Sequence, residues 1–66
     1  MINDTVKETS AQLLAFVHTH KSASAWQLKV HFRLRSSLLY LSLGFLAAEG
    51  KIKLEENGTD YIITLL

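Results

Sequence analysis

The sequence predicts an α+β domain in which three helices are followed by a two-stranded β-hairpin. Apolar residues recur at helical spacing over most of the chain and then alternate, as in strands, near its end. Between the last two apolar segments lies Asn57-Gly58, a dipeptide typical of tight hairpin turns. With 66 residues the chain is predicted to be a single domain over residues 1–66.

The first helix is predicted to begin near Asn3 or Asp4 and to run to about Thr19. Thr5 and Glu8 have the spacing of a capping box, although Asp4 is an equally suitable cap. Four apolar residues of this segment share one helical face: Val6, Leu13, Leu14 and Val17.

The second helix is predicted to be short, from about residue 24 to residue 31. Ser24 and Gln27 form a further capping box at its start, and Leu28 is its inward-facing residue. Whether residues 21–23, just before it, add a short third strand to the sheet is left open by the pattern.

The third helix is predicted over residues 36–49, after a tight turn at residues 32–35 around a buried Leu34. Gly50 follows, a residue suited to the left-handed conformation that ends many helices. The hairpin strands then follow at residues 51–54 and 61–65.

A two-residue hairpin turn at Asn57-Gly58 would place Glu55 opposite Asp60, an unfavourable like-charge pair. A longer loop is therefore the alternative. The apolar pairs expected from the two-residue turn are Ile52 with Ile63 and Leu54 with Tyr61.

This order of elements is that of a winged helix-turn-helix. Residues 43–52, Leu-Gly-Phe-Leu-Ala-Ala-Glu-Gly-Lys-Ile, resemble the end of a winged-helix third helix and its entry into the wing, where L-x-x-L-x-x-x-G-x-I recurs. From Val6 to Leu65 the chain is similar to a small bacterial winged helix-turn-helix family of unknown function. Further matching features are Thr9, Ala23-Ser24, Tyr40, Leu43-Gly44 and Phe45-Leu46-Ala47.

The resemblance implies the fold and carries no activity with it. Arg35 departs from the family pattern, because a small capping residue is expected there. Ser36 is then the alternative N-cap of the third helix.

Charge is distributed unevenly, although the net value is only +1. Between Thr9 and Ala48 the chain has no acidic residue and carries +4, whereas residues 1–8 carry −1 and residues 49–66 carry −2. A basic segment attracts anionic partners such as nucleic acid; the alternative is an ordinary solvated face. Its basic residues are Lys21, Lys29, Arg33 and Arg35.

Double-stranded DNA is the first candidate partner, because the third helix of a helix-turn-helix places its N-terminal residues at base edges. Beyond Arg35, however, this helix has no Lys, Arg, Asn or Gln to read bases. The wing tip is acidic through Glu55, Glu56 and Asp60, and only about two to four phosphate contacts are available, which predicts weak, salt-sensitive binding. The candidate DNA contacts are Arg33, Arg35, Ser36, Ser37 and Tyr40.

The third helix also predicts self-association, because it is apolar on both sides. Such a helix is usually buried all round. Either the wing and the first helix wrap around the far side, or that side is the interface of a two-fold homodimer, which we favour. The core-facing side is Leu39, Ser42, Leu43, Leu46 and Ala47, and the far stripe is Leu38, Leu41, Phe45 and Ala48.

Catalytic and metal chemistry find no support in the sequence. His18, His20 and His31 have no cysteine or nearby carboxylate to complete a metal site. The serines lie in no nucleophile motif, and no glycine-rich phosphate loop occurs. We therefore expect no enzyme activity, cofactor, metal or small-molecule substrate.

A cytoplasmic location without membrane association is expected. The first residues include Asp4 and Glu8 and no apolar signal segment, and the most apolar run, residues 38–48, is shorter than the about 20 residues of a membrane span. The sequence thus predicts a non-catalytic winged-helix binding module, a candidate DNA-binding or transcription-regulator-like domain. The alternative is a homodimerising or protein–protein interaction module of the same fold.

Overall fold

The computed structural model describes residues 2–66, which form an α+β fold of three helices and a three-stranded antiparallel sheet. Strand β3 lies between β1 and β2, so the strand that the sequence left open is present, one residue later than expected. Element order and sheet order are compatible with a winged helix-turn-helix. The elements are α1 (Ile2–His20), β1 (Ser22–Ser24), α2 (Ala25–Phe32), α3 (Ser36–Ala48), β2 (Ile52–Asn57) and β3 (Asp60–Leu65).

Helix α1 begins earlier than predicted, at Ile2. Thr5 and Asp4 therefore lie inside the helix, and the prediction that either is its N-cap is wrong. Asp4 instead occupies the first turn, where a carboxylate interacts favourably with the positive end of the helix dipole. Leu13 and Val17 of the predicted inward face are fully buried.

Small polar side chains line the contact between α1 and α3. The buried Ser10 hydroxyl donates a hydrogen bond to the main-chain oxygen of Ser42 at 3.3 Å. The equally buried Ser42 hydroxyl has no hydrogen-bond partner within residues 2–66. Small residues at this crossing let the two helices approach closely. The apolar core around them consists of Leu13, Val17, Ala23, Ala25, Leu28, Leu39, Leu43, Leu46, Ile52 and Ile63.

Helix α2 has the predicted capping box. The Gln27 main-chain N–H donates to Ser24 Oγ at 3.0 Å, and the Ser24 N–H donates to Gln27 Oε1 at 3.5 Å. Leu28 is fully buried, which confirms it as the inward-facing residue of the helix. The helix ends where Arg33 adopts a left-handed conformation with φ 55°.

Replacing Ser24 by Ala is expected to lower the free energy of unfolding by about 1 kcal/mol, because the Gln27 N–H loses its acceptor. The measurement is the urea midpoint of unfolding. Ser22→Ala, on the exposed side of the adjacent strand, is the matched control and should leave the midpoint nearly unchanged. A similar midpoint for both variants would mean that the cap does not stabilise α2.

The start of α3 differs from the prediction. Arg35 occupies the N-cap position, so the expectation that Ser36 caps the helix is wrong; within the described chain no side chain caps it. The Arg35 carbonyl accepts the first helical hydrogen bond, from the Leu39 N–H at 3.0 Å, and this leaves Ser36 helical. Leu34, in the turn before the helix, was predicted to be buried, but it is only half-buried against the core.

The hairpin register differs by two residues from that of the predicted two-residue turn. The turn residues are Gly58 and Thr59, so Glu55 lies opposite Ile62 and is separated from the like charge of Asp60. Gly58 has φ 66°, and Thr59 is not among the described residues with positive φ, which is the pattern of a type II′ turn. A shift of two residues keeps every side chain on its predicted face. The pairs on the core side are Ile52 with Leu65, Leu54 with Ile63, and Glu56 with Tyr61.

Candidate functional site

Helix α3 buries one side and exposes the other. The predicted core-facing residues Leu39, Ser42, Leu43 and Leu46 are buried, and Ala47 is half-buried. No charged residue occurs from Ser36 to Ala48, so the exposed side is uncharged. We call this side the outward face of α3; it consists of Ser37, Tyr40, Leu41, Gly44 and Ala48, all of them exposed.

The predicted self-association stripe is only partly free. Leu38 and Phe45 are half-buried, whereas Leu41 is 54% exposed and Ala48 is exposed. The N-terminal turns of α1 lie beside the stripe, because Ile2 and Val6 line an open cavity of about 460 Å³ together with Leu41 and Phe45. The first helix thus covers part of the stripe, and Leu41 remains at the surface.

On its other side, α3 forms a groove with the wing, by which we mean β2, β3 and their turn. The groove has a volume of about 540 Å³ and is lined by Tyr40, Leu43, Gly44, Leu54 and Tyr61. The rings of Tyr40 and Tyr61 meet edge to face, with centroids 6.1 Å apart. Sequence reasoning missed Leu54 and Tyr61 as surface residues, because their exposure depends on how the hairpin lies against α3.

Gly44 lies at the centre of the outward face, inside the helix. Apart from its two chain neighbours and the backbone of its own helix, no described atom lies within 4 Å of where a β-carbon at this position would be. Glycine inside a helix is less stable than alanine by roughly 0.5–1 kcal/mol, and no neighbour within residues 2–66 accounts for the missing side chain. Gly44 therefore leaves an open concavity at the surface, one helical turn after the exposed ring of Tyr40.

The predicted DNA-contact residues meet at the N-terminal end of α3. Arg33, Arg35, Ser36, Ser37 and Tyr40 are all exposed. Both arginines line an open cavity of about 350 Å³ together with Ser37. The arrangement presents two guanidinium groups and hydroxyl donors next to the first turn of a helix, which suits phosphate.

Two acidic residues of the wing form a hydrogen bond or an ion pair within the chain. Asp60 Oδ1 accepts hydrogen bonds from the main-chain N–H of Tyr61 at 2.8 Å and of Trp26 at 3.3 Å. Trp26 lies in the first turn of α2, so this carboxylate links the wing to the positive end of that helix. Glu55 forms an exposed ion pair with Lys53 at 3.0 Å. Sequence reasoning missed the role of Asp60, because Trp26 is distant along the chain.

Two of the three histidines, His20 and His31, pack against aromatic rings. The imidazole of His20 stacks on the Phe16 ring with centroids 4.0 Å apart. The centroid of the His31 ring lies 4.7 Å from that of the same Phe16 ring. Among residues 2–66, no group of three or more histidine or carboxylate side chains is placed to hold a metal ion.

No protein-family model, curated protein or solved structure matches this chain. The family resemblance at residues 43–52 therefore stays a prediction, and function is argued from the surface of α3. None of the helices within residues 2–66 has the length and apolar character needed to cross a membrane.

Proposed function

We propose that this chain is a non-catalytic winged helix-turn-helix domain that forms a homodimer through the outward face of α3. One observation carries the proposal: Tyr40 and Leu41 are 48% and 54% exposed on a helix without charged residues. The cores of protein–protein interfaces are enriched in aromatic residues and depleted in charged ones. This face has that composition.

The arrangement of the elements supports the winged helix-turn-helix part of the proposal. Helices α2 and α3 are separated by residues 33–35, a connection of the length found in helix-turn-helix pairs. The β2–β3 hairpin follows α3 and lies in one sheet with β1, as a wing does.

The experiment that tests the homodimer is sedimentation equilibrium of the unmodified protein, from micromolar to tens of micromolar. We expect a mass that rises towards twice the monomer value of 7.4 kDa. A mass that stays at the monomer value over the whole range contradicts the proposal.

A second candidate function is binding to double-stranded DNA. It is favoured by the exposed group of Arg33, Arg35, Ser36, Ser37 and Tyr40 at one end of α3. Tyr40 and Ser37 also belong to the outward face, so DNA and a second copy compete for the same helix. A domain that dimerises strongly through α3 would therefore bind duplex weakly.

If duplex is bound, replacing Arg33 and Arg35 together by Ala is expected to abolish measurable binding, because both phosphate-binding charges of the turn are lost. Replacing Glu55 and Glu56 by Gln is expected to strengthen binding, because the wing then repels phosphate less. The measurement is fluorescence anisotropy with a labelled mixed-sequence duplex, titrated at several salt concentrations.

The matched control removes two exposed positive charges elsewhere, by replacing Lys7 and Lys51 with Ala. It should weaken binding far less than the double arginine variant does. Duplex affinity that survives the loss of both arginines would show that α3 does not approach DNA with its N-terminal end.

A further inference from the structure

We infer that two copies pack their α3 helices antiparallel about a two-fold axis, with the Tyr40 ring of each copy over Gly44 of the other. This contact rests on the proposed homodimer and specifies how its two subunits meet. It also moves the interface towards the wing, away from the part of the predicted stripe that α1 covers.

The outward face has a projection and a concavity one helical turn apart. Tyr40 projects from it with 48% of its surface exposed, and one helical turn later Gly44 leaves space that no atom of the described chain occupies. A projection and a concavity on the same face are what a self-complementary contact requires, because in a two-fold interface residue i contacts residue j and j contacts i.

The positions of Tyr40 and Gly44 along α3 determine the relative direction of the two helices. Ser42 lies midway between Tyr40 and Gly44 in the sequence. If the axis passes at the level of Ser42 and the helices are antiparallel, each Tyr40 faces the Gly44 of the other copy. A parallel pair would place tyrosine on tyrosine and leave both concavities empty. Only the antiparallel arrangement fills both at once.

Charge also favours an antiparallel pair over a parallel one. Close to a two-fold axis a charged side chain lies near its own copy, and α3 has none from Ser36 to Ala48. A parallel pair would bring Arg33 and Arg35 of the two copies together, whereas an antiparallel pair separates them and aligns the helix dipoles favourably. At each end of an antiparallel pair, Arg35 lies level with Glu49 of the other copy and Arg33 lies level with Lys51, so one pair of opposite charge is set against one pair of like charge.

The groove beside α3 provides the remaining contact area. The Tyr40 ring of one copy, placed over Gly44 of the other, enters the groove that Leu54 and Tyr61 line on the wing side. Both residues are partly exposed, 40% for Leu54 and 38% for Tyr61. The Tyr40 ring would bury both side chains. Tyrosine is enriched among the residues that contribute most to interface affinity, and these residues are typically well packed and desolvated.

The experiment uses Gly44→Ala in the full chain. Alanine fills the concavity, so we expect the dimer dissociation constant to rise by about tenfold or more. At the same time the thermal midpoint at low concentration, where the protein is monomeric, should rise, because alanine is the better helix former. Weaker association together with a more stable monomer is a pair of effects that damage to the fold would not produce.

An exchange variant tests the pairing itself. Tyr40→Gly and Gly44→Tyr should each weaken the dimer, whereas the double variant, which exchanges ring and concavity, should restore association to within severalfold of the unmodified protein. Val30→Ala is the control, since it shortens an exposed apolar side chain of α2 outside the outward face, and it should leave the dissociation constant unchanged.

These measurements distinguish a failure of the proposed homodimer from a failure of the Tyr40–Gly44 contact alone. An unmodified protein that stays monomeric overturns the homodimer and this contact together. A dimer that Leu41→Lys dissociates but Gly44→Ala and Tyr40→Gly leave intact keeps the proposed function and overturns the Tyr40–Gly44 contact. A double variant no better than its single variants also overturns the contact.

Discussion

Replacing Leu41 by Lys is expected to convert the proposed homodimer into a folded monomer. Leu41 is 54% exposed in the single chain, so the substitution leaves the core intact, but it removes apolar contact from both subunits and places two ammonium groups in the interface. We expect the dissociation constant to rise by about a hundredfold or more. In sedimentation this appears as a mass of 7.4 kDa.

Val30→Lys is the matched control, because Val30 on α2 has almost the same exposure, 52%. That variant should keep the dimer mass, and circular dichroism should show both variants folded. A dimer that survives Leu41→Lys would show that Leu41 does not lie in the interface and would contradict a contact through the whole outward face. The Leu41→Lys monomer should then be titrated with duplex, because its α3 is no longer covered by a second copy.

Replacing Ile63 by Ala is expected to lower the free energy of unfolding by about 2–5 kcal/mol. Ile63 is fully buried on β3, where it pairs with Ala23 of β1 and Leu54 of β2. Truncation leaves a cavity at the centre of the sheet. A domain of this length has a total stability of about 3–10 kcal/mol, so much of it would be lost.

The matched control is Ile62→Ala, since Ile62 is the adjacent residue of the same type and is only half-buried on the opposite face of the sheet. It should cost about 1 kcal/mol or less. Urea unfolding of both variants is the measurement, and Ile63→Val extends it should Ile63→Ala not fold. Equal losses of unfolding free energy at the two positions would contradict the observed alternation of half-buried and buried side chains along β3.

Some local features of this chain were predictable because their causes lie within a few residues, although the N-caps of α1 and α3 were predicted wrongly. The Ser24–Gln27 capping box depends on a spacing of three residues, and both hydrogen bonds are present. The buried side of α3 follows from helical periodicity, and four of its five predicted residues are buried, while Ala47 is half-buried. The Glu55–Asp60 conflict marked the two-residue turn at Asn57-Gly58 as doubtful, and the structure avoids that pair.

Features that depend on distant parts of the chain were not predictable. The Asp60 carboxylate of the wing accepts a hydrogen bond from the Trp26 N–H of α2, which is distant from it along the chain. Coverage of Phe45 depends on where the first turns of α1 lie.

The sequence by itself determined the order of the elements and the side of each that faces the core, because periodicity and caps act between neighbouring residues. Only the tertiary structure decided that Leu41 and Tyr40 remain exposed while Leu38 and Phe45 are half-buried. The physical reason is that α3 is apolar on both sides, so its composition cannot distinguish the side that the chain covers from the side that it leaves exposed. That difference arises from the positions of α1 and the wing around it.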